Sequence, residues 1–186
     1  KMYHNAANSR GKPNIVDVLD FRDLDKIDAY TDVFQVGTRQ SQHYAMLKEL
    51  GMQKKPVILK RGTHQTLAEL MGSLEYILKG GNNNVILCER GSVSYVDHCR
   101  WELSISTIAM LKHVTNMPVV VDASHGTGNR QIVKQMALAG VAAGADGILI
   151  ETHFDPDQSA SDAEQTVALE EFNDTVLCAK KIKSIL

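Results

Sequence analysis

Three residues able to hold a divalent cation, His125, Glu151 and Asp162, stand at or just beyond the ends of two successive apolar runs. The runs, Pro118-Val-Val-Val-Asp-Ala-Ser-His125 and Gly147-Ile-Leu-Ile-Glu151, read as buried parallel strands. Side chains at the carboxyl ends of neighbouring parallel strands converge on one rim, where α/β barrels keep their chemistry. An imidazole with two carboxylates suits manganese, iron, cobalt or zinc better than calcium. With a position left open, such an ion polarises a substrate carbonyl, which fits carbon–carbon bond formation at an aldehyde. A purely structural role competes with this: His125 could cap a strand, and Asp162 in Ser-Asp-Ala-Glu-Gln has the setting of a helix N-terminal residue.

Cations gather at other strand ends. Arg39 follows the run Val33–Gly37, Lys60 and Arg61 close Pro56–Lys60, and Glu89 and Arg90 close Asn84–Cys88. A single cation after a strand is ordinarily solvated, but three successive units carrying one suit a polyanion. Guanidinium offers phosphate or carboxylate a planar fork and ammonium a compact charge. A small phosphorylated acid is the expected ligand.

These residues need a scaffold, and the chain alternates strand-like and helix-like segments throughout. Strands are expected at Asn14–Leu19, Val33–Gly37, Pro56–Lys60, Asn84–Cys88, Pro118–Asp122 and Gly147–Ile150. Helices are expected at Leu24–Tyr30, Ser41–Leu50, Thr66–Lys79, Glu102–Val114, Arg130–Ala143 and Asp162–Ile185. In the fifth helix, Ile132, Met136, Ala139, Val141 and Ala142 form the expected core stripe, and Gly144 stands at its stop. No low-complexity linker interrupts the pattern, so residues 1–186 read as one α/β domain. A TIM (β/α)8 barrel supplying its strands 3 to 8 is favoured over an open doubly wound sheet. No glycine-rich dinucleotide loop follows the first strand. The opening residues, Met2-Tyr-His-Asn onwards, read as the end of a helix and a turn, with about two barrel units expected ahead of them.

Composition excludes several classes of function. With 20 basic against 22 acidic residues there is no basic field for nucleic acid, and no apolar run approaches membrane-spanning length. The first residues do not resemble a signal peptide, so the cytoplasm is the expected location. The three cysteines match neither a zinc pattern nor a disulfide framework and are expected to be thiols. Trp101, Met110 and Met136 read as packing residues, and His43, His64, His98 and His113 as surface or supporting groups. His153, two residues past Glu151, is a further candidate for the vicinity of the ion.

Six segments together resemble the type I beta group of 3-deoxy-D-arabino-heptulosonate 7-phosphate (DAHP) synthases, relatives of the 3-deoxy-manno-octulosonate 8-phosphate synthases. They are Val36-Gly-Thr-Arg39, Leu59-Lys-Arg-Gly62, Asn84-Val-Ile-Leu-Cys-Glu-Arg-Gly91, Val121-Asp-Ala-Ser-His-Gly-Thr-Gly128, Ala142-Ala-Gly-Ala-Asp-Gly147 and Ile150-Glu-Thr-His-Phe-Asp-Pro156. The resemblance implies a TIM barrel enzyme that condenses phosphoenolpyruvate with erythrose 4-phosphate at the entry to the shikimate pathway. It implies that Arg39, Lys60, Glu89 and Arg90 bind substrate, with Lys60 also a proton donor. It further implies that His125, Glu151 and Asp162 hold a divalent metal, with Mn2+ favoured over Fe2+, Co2+, Zn2+ or Cd2+, and that the protein is a homo-oligomer, dimer or tetramer.

The chain departs from the family pattern in places. The Gly-Pro-Cys motif carrying a fourth metal ligand and the Lys-Pro-Arg-Thr motif that grips both substrates are not in these residues. Cys88 should point away from the rim that Glu89 faces, and Cys99 and Cys178 read as helical or nearly so. Asp17 stands where the family usually has Glu, Ala123 where it has Pro, and Ala163-Glu164 where it has Gly-Pro. Two alternatives stay open: an octulosonate-type synthase using arabinose 5-phosphate, and a non-catalytic paralogue that binds phosphoenolpyruvate or metal.

Overall fold

The computed structural model describes residues 2–186. The chain divides into two compact units, the first running to Leu87 and the second from Cys88 to Leu186.

In the first unit, a short helix α1 (Met2–Asn8) precedes three parallel strands, β1 (Ile15–Asp17), β2 (Val33–Val36) and β3 (Val57–Lys60). Their register pairs Ile15 with Val33, Asp17 with Gln35, Phe34 with Val57 and Val36 with Leu59. Helices α2 (Leu24–Asp28), α3 (Tyr44–Gly51) and α4 (Leu67–Lys79) make the crossovers. The N-terminus of α4 is sealed by a capping box in which Thr66 and Glu69 satisfy each other's backbone N–H groups. Leu70, Leu74 and Ile77 of α4 are buried, as are Met46, Leu47 and Leu50 of α3 and Phe34, Val36, Val57 and Leu59 of the strands. The two helices meet where neither has a side chain. A Cβ on Gly51 would lie 2.6 Å from the Ile77 carbonyl oxygen, and one on Gly80 would lie 2.5 Å from the Gly51 carbonyl carbon.

Strand β4 (Val85–Glu89) spans the division between the units. In the second unit, β5 (Val119–Asp122) and β6 (Gly147–Leu149) run parallel, with Val120 opposite Gly147 and Asp122 opposite Leu149. Around them lie α5 (Ile105–Val114), α6 (Ala123–Thr127), α7 (Arg130–Ala142) and α8 (Leu169–Lys183). Helix α7 comes so close to β5 that a Cβ on Gly140 would sit 2.7 Å from Val121 Cγ1. At the amino ends of the strands, Asp146 accepts the Val119 N–H at 2.8 Å and pairs with Lys112 at 2.7 Å and Lys183 at 3.7 Å.

Three expectations are corrected here. The core stripe of α7 is Val133, Ala137, Gly140 and Val141, one residue round from the expected face, leaving Ile132 and Met136 half-buried and Ala142 exposed. Close helix–strand contact selects the face with the smallest groups, which an apolar tally overlooks. The last helix begins at Leu169 instead of Asp162, because Asp162 has a left-handed φ of 51° and Val167 is drawn into a bridge with Thr152. Cys99 lies in a non-helical loop, since α5 begins only at Ile105, whereas Cys178 is helical.

Candidate metal and substrate site

Strand β5 ends at Asp122, a fully buried carboxylate that caps the single turn α6 by accepting the His125 N–H at 3.0 Å. The same carboxylate lies 2.9 Å from His125 Nδ1. A carboxylate can only accept, so Nδ1–H donates to Asp122 and Nε2 is the ring nitrogen turned to another partner. That nitrogen faces Glu151, whose Oε1 is 3.3 Å away. Gly128, with φ 64°, ends α6 in the left-handed conformation open to glycine, so the turn carrying His125 remains one turn long.

Glu151 follows β6 and is held on two sides. Its backbone N–H donates to Ser124 Oγ at 3.0 Å, and its Oε2 accepts from Gln165 Nε2 at 2.7 Å. Burial pushes its carboxyl above the usual range, with the His125 charge and the Gln165 hydrogen bond pulling down and the carboxylates of Asp162 and Asp122 adding to the rise. Asp162 completes the group: one ligand atom from each of His125, Glu151 and Asp162 lies within 4.8 Å of the others. In the same loop the Asp162 carbonyl accepts from Gln165 N, Thr166 N and Thr166 Oγ1 at 3.1, 3.2 and 2.9 Å.

The donor set fits a divalent ion. An imidazole nitrogen and two carboxylates face one small space, the imidazole is oriented from behind by a buried carboxylate, and Glu151 is under-solvated. Arg100 also reaches the cluster, with Nη1 3.7 Å from Asp162 Oδ1. His153, the remaining candidate, turns instead to its own loop, with Nδ1 at 2.6 Å from the Asp155 carbonyl and 3.1 Å from the Asp155 N–H.

Arg90, the first residue beyond β4, is only 6% exposed, and its Nη1 has no hydrogen-bond partner among the described residues. Burial draws the guanidinium below its ordinary value, while Asp122 and Glu89 act in the opposite direction. Arginine stays charged in proteins, so the physical consequence is a buried cation with one nitrogen left for a further acceptor. The Trp101 indole lies under it, 5.5 Å from ring centroid to Arg90 Cζ, and Arg100 approaches the same ring at 5.7 Å. Trp101 is brought there by an antiparallel bridge between Ser92 and Glu102. At Gly91, φ is 86° and a Cβ would lie 2.9 Å from the Gly126 carbonyl, so the chain turning past Arg90 touches the backbone of α6.

Glu89 is fully buried and its Oε1 accepts the Gly91 N–H at 2.9 Å, tying down the turn that presents Arg90. In the first unit, Arg39 sits exposed in a 3-10 turn after β2, and Lys60 is the buried last residue of the adjacent β3. Both thus stand at the carboxyl ends of neighbouring parallel strands. Arg61 is also buried, donating to the Gln65 carbonyl at 2.8 Å. Burial, with Glu102 nearby, pushes the Cys99 thiol up, which keeps it protonated.

Asp122, Ser124 and Gln165 were not singled out by the sequence reading, and Trp101 was assigned to packing. Asp122 had a legible signal, an aspartate ending an apolar run three residues before a histidine. Gln165 had none, because its partner Glu151 is set by the return of a loop.

A buried cation and a histidine–carboxylate cluster able to hold a metal, just past the carboxyl ends of parallel strands, define an α/β protein of the barrel class with a candidate metal site. The profile of the DAHP synthetase I family matches residues 1–186, and the chain belongs to that family. It is 36% identical over 181 residues to the phospho-2-dehydro-3-deoxyheptonate aldolase of Thermotoga maritima, covering 97% of this chain and 54% of the relative. It is 30% identical over 176 residues to the 2-dehydro-3-deoxyphosphooctonate aldolase of Nitrobacter hamburgensis, covering 89% and 61%. The crystal structure of the Thermotoga maritima DAHP synthase superimposes with a TM-score of 0.95 over 98% of this chain and 54% of that one, at 36% identity. A truncated form of the Thermotoga maritima synthase, also 36% identical, gives 0.94 over 98% of this chain and 70% of that one. The fold is therefore that of the synthase barrel. The chain spans about half to three-fifths of the length of the curated relatives it matches.

Proposed function

We propose that the protein to which these residues belong condenses phosphoenolpyruvate with erythrose 4-phosphate, forming DAHP and releasing phosphate. The observation that carries this reading is the His125–Glu151–Asp162 cluster, with ligand atoms within 4.8 Å, in a chain matched along its whole length by the synthase family.

Each residue has a role that follows from its surroundings. Arg90, buried and with Nη1 unpartnered among the described residues, takes a carboxylate or phosphate oxygen of phosphoenolpyruvate through that nitrogen. Trp101 holds the guanidinium plane from behind. Glu89 secures the Gly91 turn, so its part in substrate binding is to aim Arg90. Arg39 and Lys60, at the ends of neighbouring strands of the first unit, are the further substrate-binding cations that the family resemblance implies, and Lys60 is the proton donor proposed for the oxygen that becomes a hydroxyl. His125, Glu151 and Asp162 would hold the ion, with Asp122 keeping the His125 lone pair turned towards it. When bound, the ion supplies Lewis-acid polarisation of the aldehyde carbonyl. Mn2+ is the proposed ion, as the family resemblance implies, and the nitrogen and oxygen donors of these three residues suit it. Cys88, Cys99 and Cys178, which form no disulfide among the described residues, fit a reducing cytoplasm.

A second reading, condensation with arabinose 5-phosphate, is favoured by the octulosonate relatives at 30% identity. The full-length protein should consume phosphoenolpyruvate with erythrose 4-phosphate much faster than with arabinose 5-phosphate. A strong chelator or His125→Ala should abolish that consumption. Full activity under chelation would overturn the metal assignment, and preference for the five-carbon sugar would move the protein to the sister activity. No turnover with either sugar would mark a binding protein.

A further inference from the structure

The loop that contributes Asp162 also delivers Gln165, and the two act on the cluster in different ways. Gln165 is 2% exposed, and its carboxamide donates from Nε2 to Glu151 Oε2 at 2.7 Å. The other oxygen of that carboxylate, Oε1, is the one 3.3 Å from His125 Nε2. The two oxygens of Glu151 therefore have separate tasks, one tied to a neutral donor and one turned to the cluster.

Gln165 is itself held by backbone. Its N–H donates to the Asp162 carbonyl at 3.1 Å, and two residues further on the Val167 N–H donates to the Glu151 carbonyl at 3.0 Å. The His153 N–H returns a bond to the Val167 carbonyl at 3.1 Å, closing the bridge between Thr152 and Val167. The loop is thus turned on itself just ahead of Gln165 and stitched to the chain after β6 two residues beyond it, and the carboxamide has little freedom to leave Glu151. A neutral donor suits this position, because a cation there would compete with a metal for the carboxylate and an acceptor would repel it.

We propose that Gln165 is a positioning residue that holds Glu151 as a one-oxygen ligand by occupying its Oε2, so setting both the affinity and the coordination number of the ion site. The inference rests on the metal reading above and adds a residue that touches neither ion nor substrate. Removing a group that orients a ligand from behind typically weakens metal binding by about ten- to a hundredfold.

The test uses the full-length protein and Gln165→Met, which keeps the length and volume of the side chain and removes the donor. Mn2+ affinity would be measured by electron paramagnetic resonance of the free ion, and the coordination of Co2+ by its visible absorption. Circular dichroism would check the fold. The expected result is a Mn2+ affinity about ten- to a hundredfold weaker, with an altered Co2+ spectrum as the released oxygen joins the ion. Unchanged affinity and spectrum in Gln165→Met, with the wild type binding normally, would overturn the role of Gln165 and leave the metal site standing. No Mn2+ binding by the wild type would overturn both. Should Gln165→Met not fold, Gln165→Asn keeps the amide but withdraws it by one methylene. It should show the same weakening, and wild-type affinity in it would count against the proposal.

Discussion

Asp122 holds His125 by two bonds at once: Oδ1 accepts the backbone N–H at 3.0 Å, and Oδ2 lies 2.9 Å from the ring Nδ1. The carboxylate that begins the helical turn is therefore the one that decides which ring nitrogen is available. Asp122→Asn should keep the cap, because its amide oxygen still accepts, but it loses the charge that fixes the ring. Mn2+ affinity should fall by about ten- to a hundredfold with little change in melting temperature. Chelator competition and thermal denaturation on the same sample check both halves.

Arg90 is expected to be a main anchor for phosphoenolpyruvate. Arg90→Lys should not rescue it, because a compact ammonium cannot fill a planar guanidinium site laid over Trp101. Loss of a charge-assisted hydrogen bond costs about 1.5–3 kcal/mol, which corresponds to a KM for phosphoenolpyruvate raised by roughly ten- to a hundredfold. Steady-state kinetics at saturating sugar phosphate measure it, and an unchanged KM would remove Arg90 from the site.

Gly51 and Gly80 allow α3 and α4 to touch along their backbones. In Gly51→Ala the new Cβ would start 2.6 Å from the Ile77 carbonyl oxygen, a backbone atom with nowhere to move. Overpacking of this kind costs about 1–3 kcal/mol. The melting temperature should drop by several degrees while Mn2+ affinity is unchanged.

Asp146 links pH to stability. Burial raises its carboxyl, but the hydrogen bond and charge of Lys112, the Val119 N–H and the charge of Lys183 outweigh this and leave it below its ordinary value of 3.8. A carboxyl lowered by folding contributes stability above its unfolded value, and that contribution is lost as pH falls through the lower folded one. Lys112→Met should therefore remove part of the acid limb of the stability curve and little else. The pair is one-third exposed, with side chains at 33% and 35%, so roughly 0.5 kcal/mol is the expected scale. Denaturant titrations at neutral and acid pH would show it as a difference between wild type and variant that shrinks below pH 4.

The strand ends were legible in one dimension because buried parallel strands are short, continuous apolar runs, and the polar residue that ends each run is visible without coordinates. That placed Lys60, Glu89, Arg90, His125 and Glu151 at or just beyond strand ends by pattern alone. The approach of Asp162 to Glu151, the turn of the His125 ring and the hold of Gln165 on Glu151 were decided by the tertiary structure. Each depends on where a loop returns and how a side chain is turned. Local periodicity carries no record of either, because hydrogen bonds across a loop are indifferent to the spacing of the residues that make them. The same reason explains the two misread helices. In α7 the facing strand selected the small residues, and at Asp162 a bridge to the end of β6 outweighed a plausible helix start.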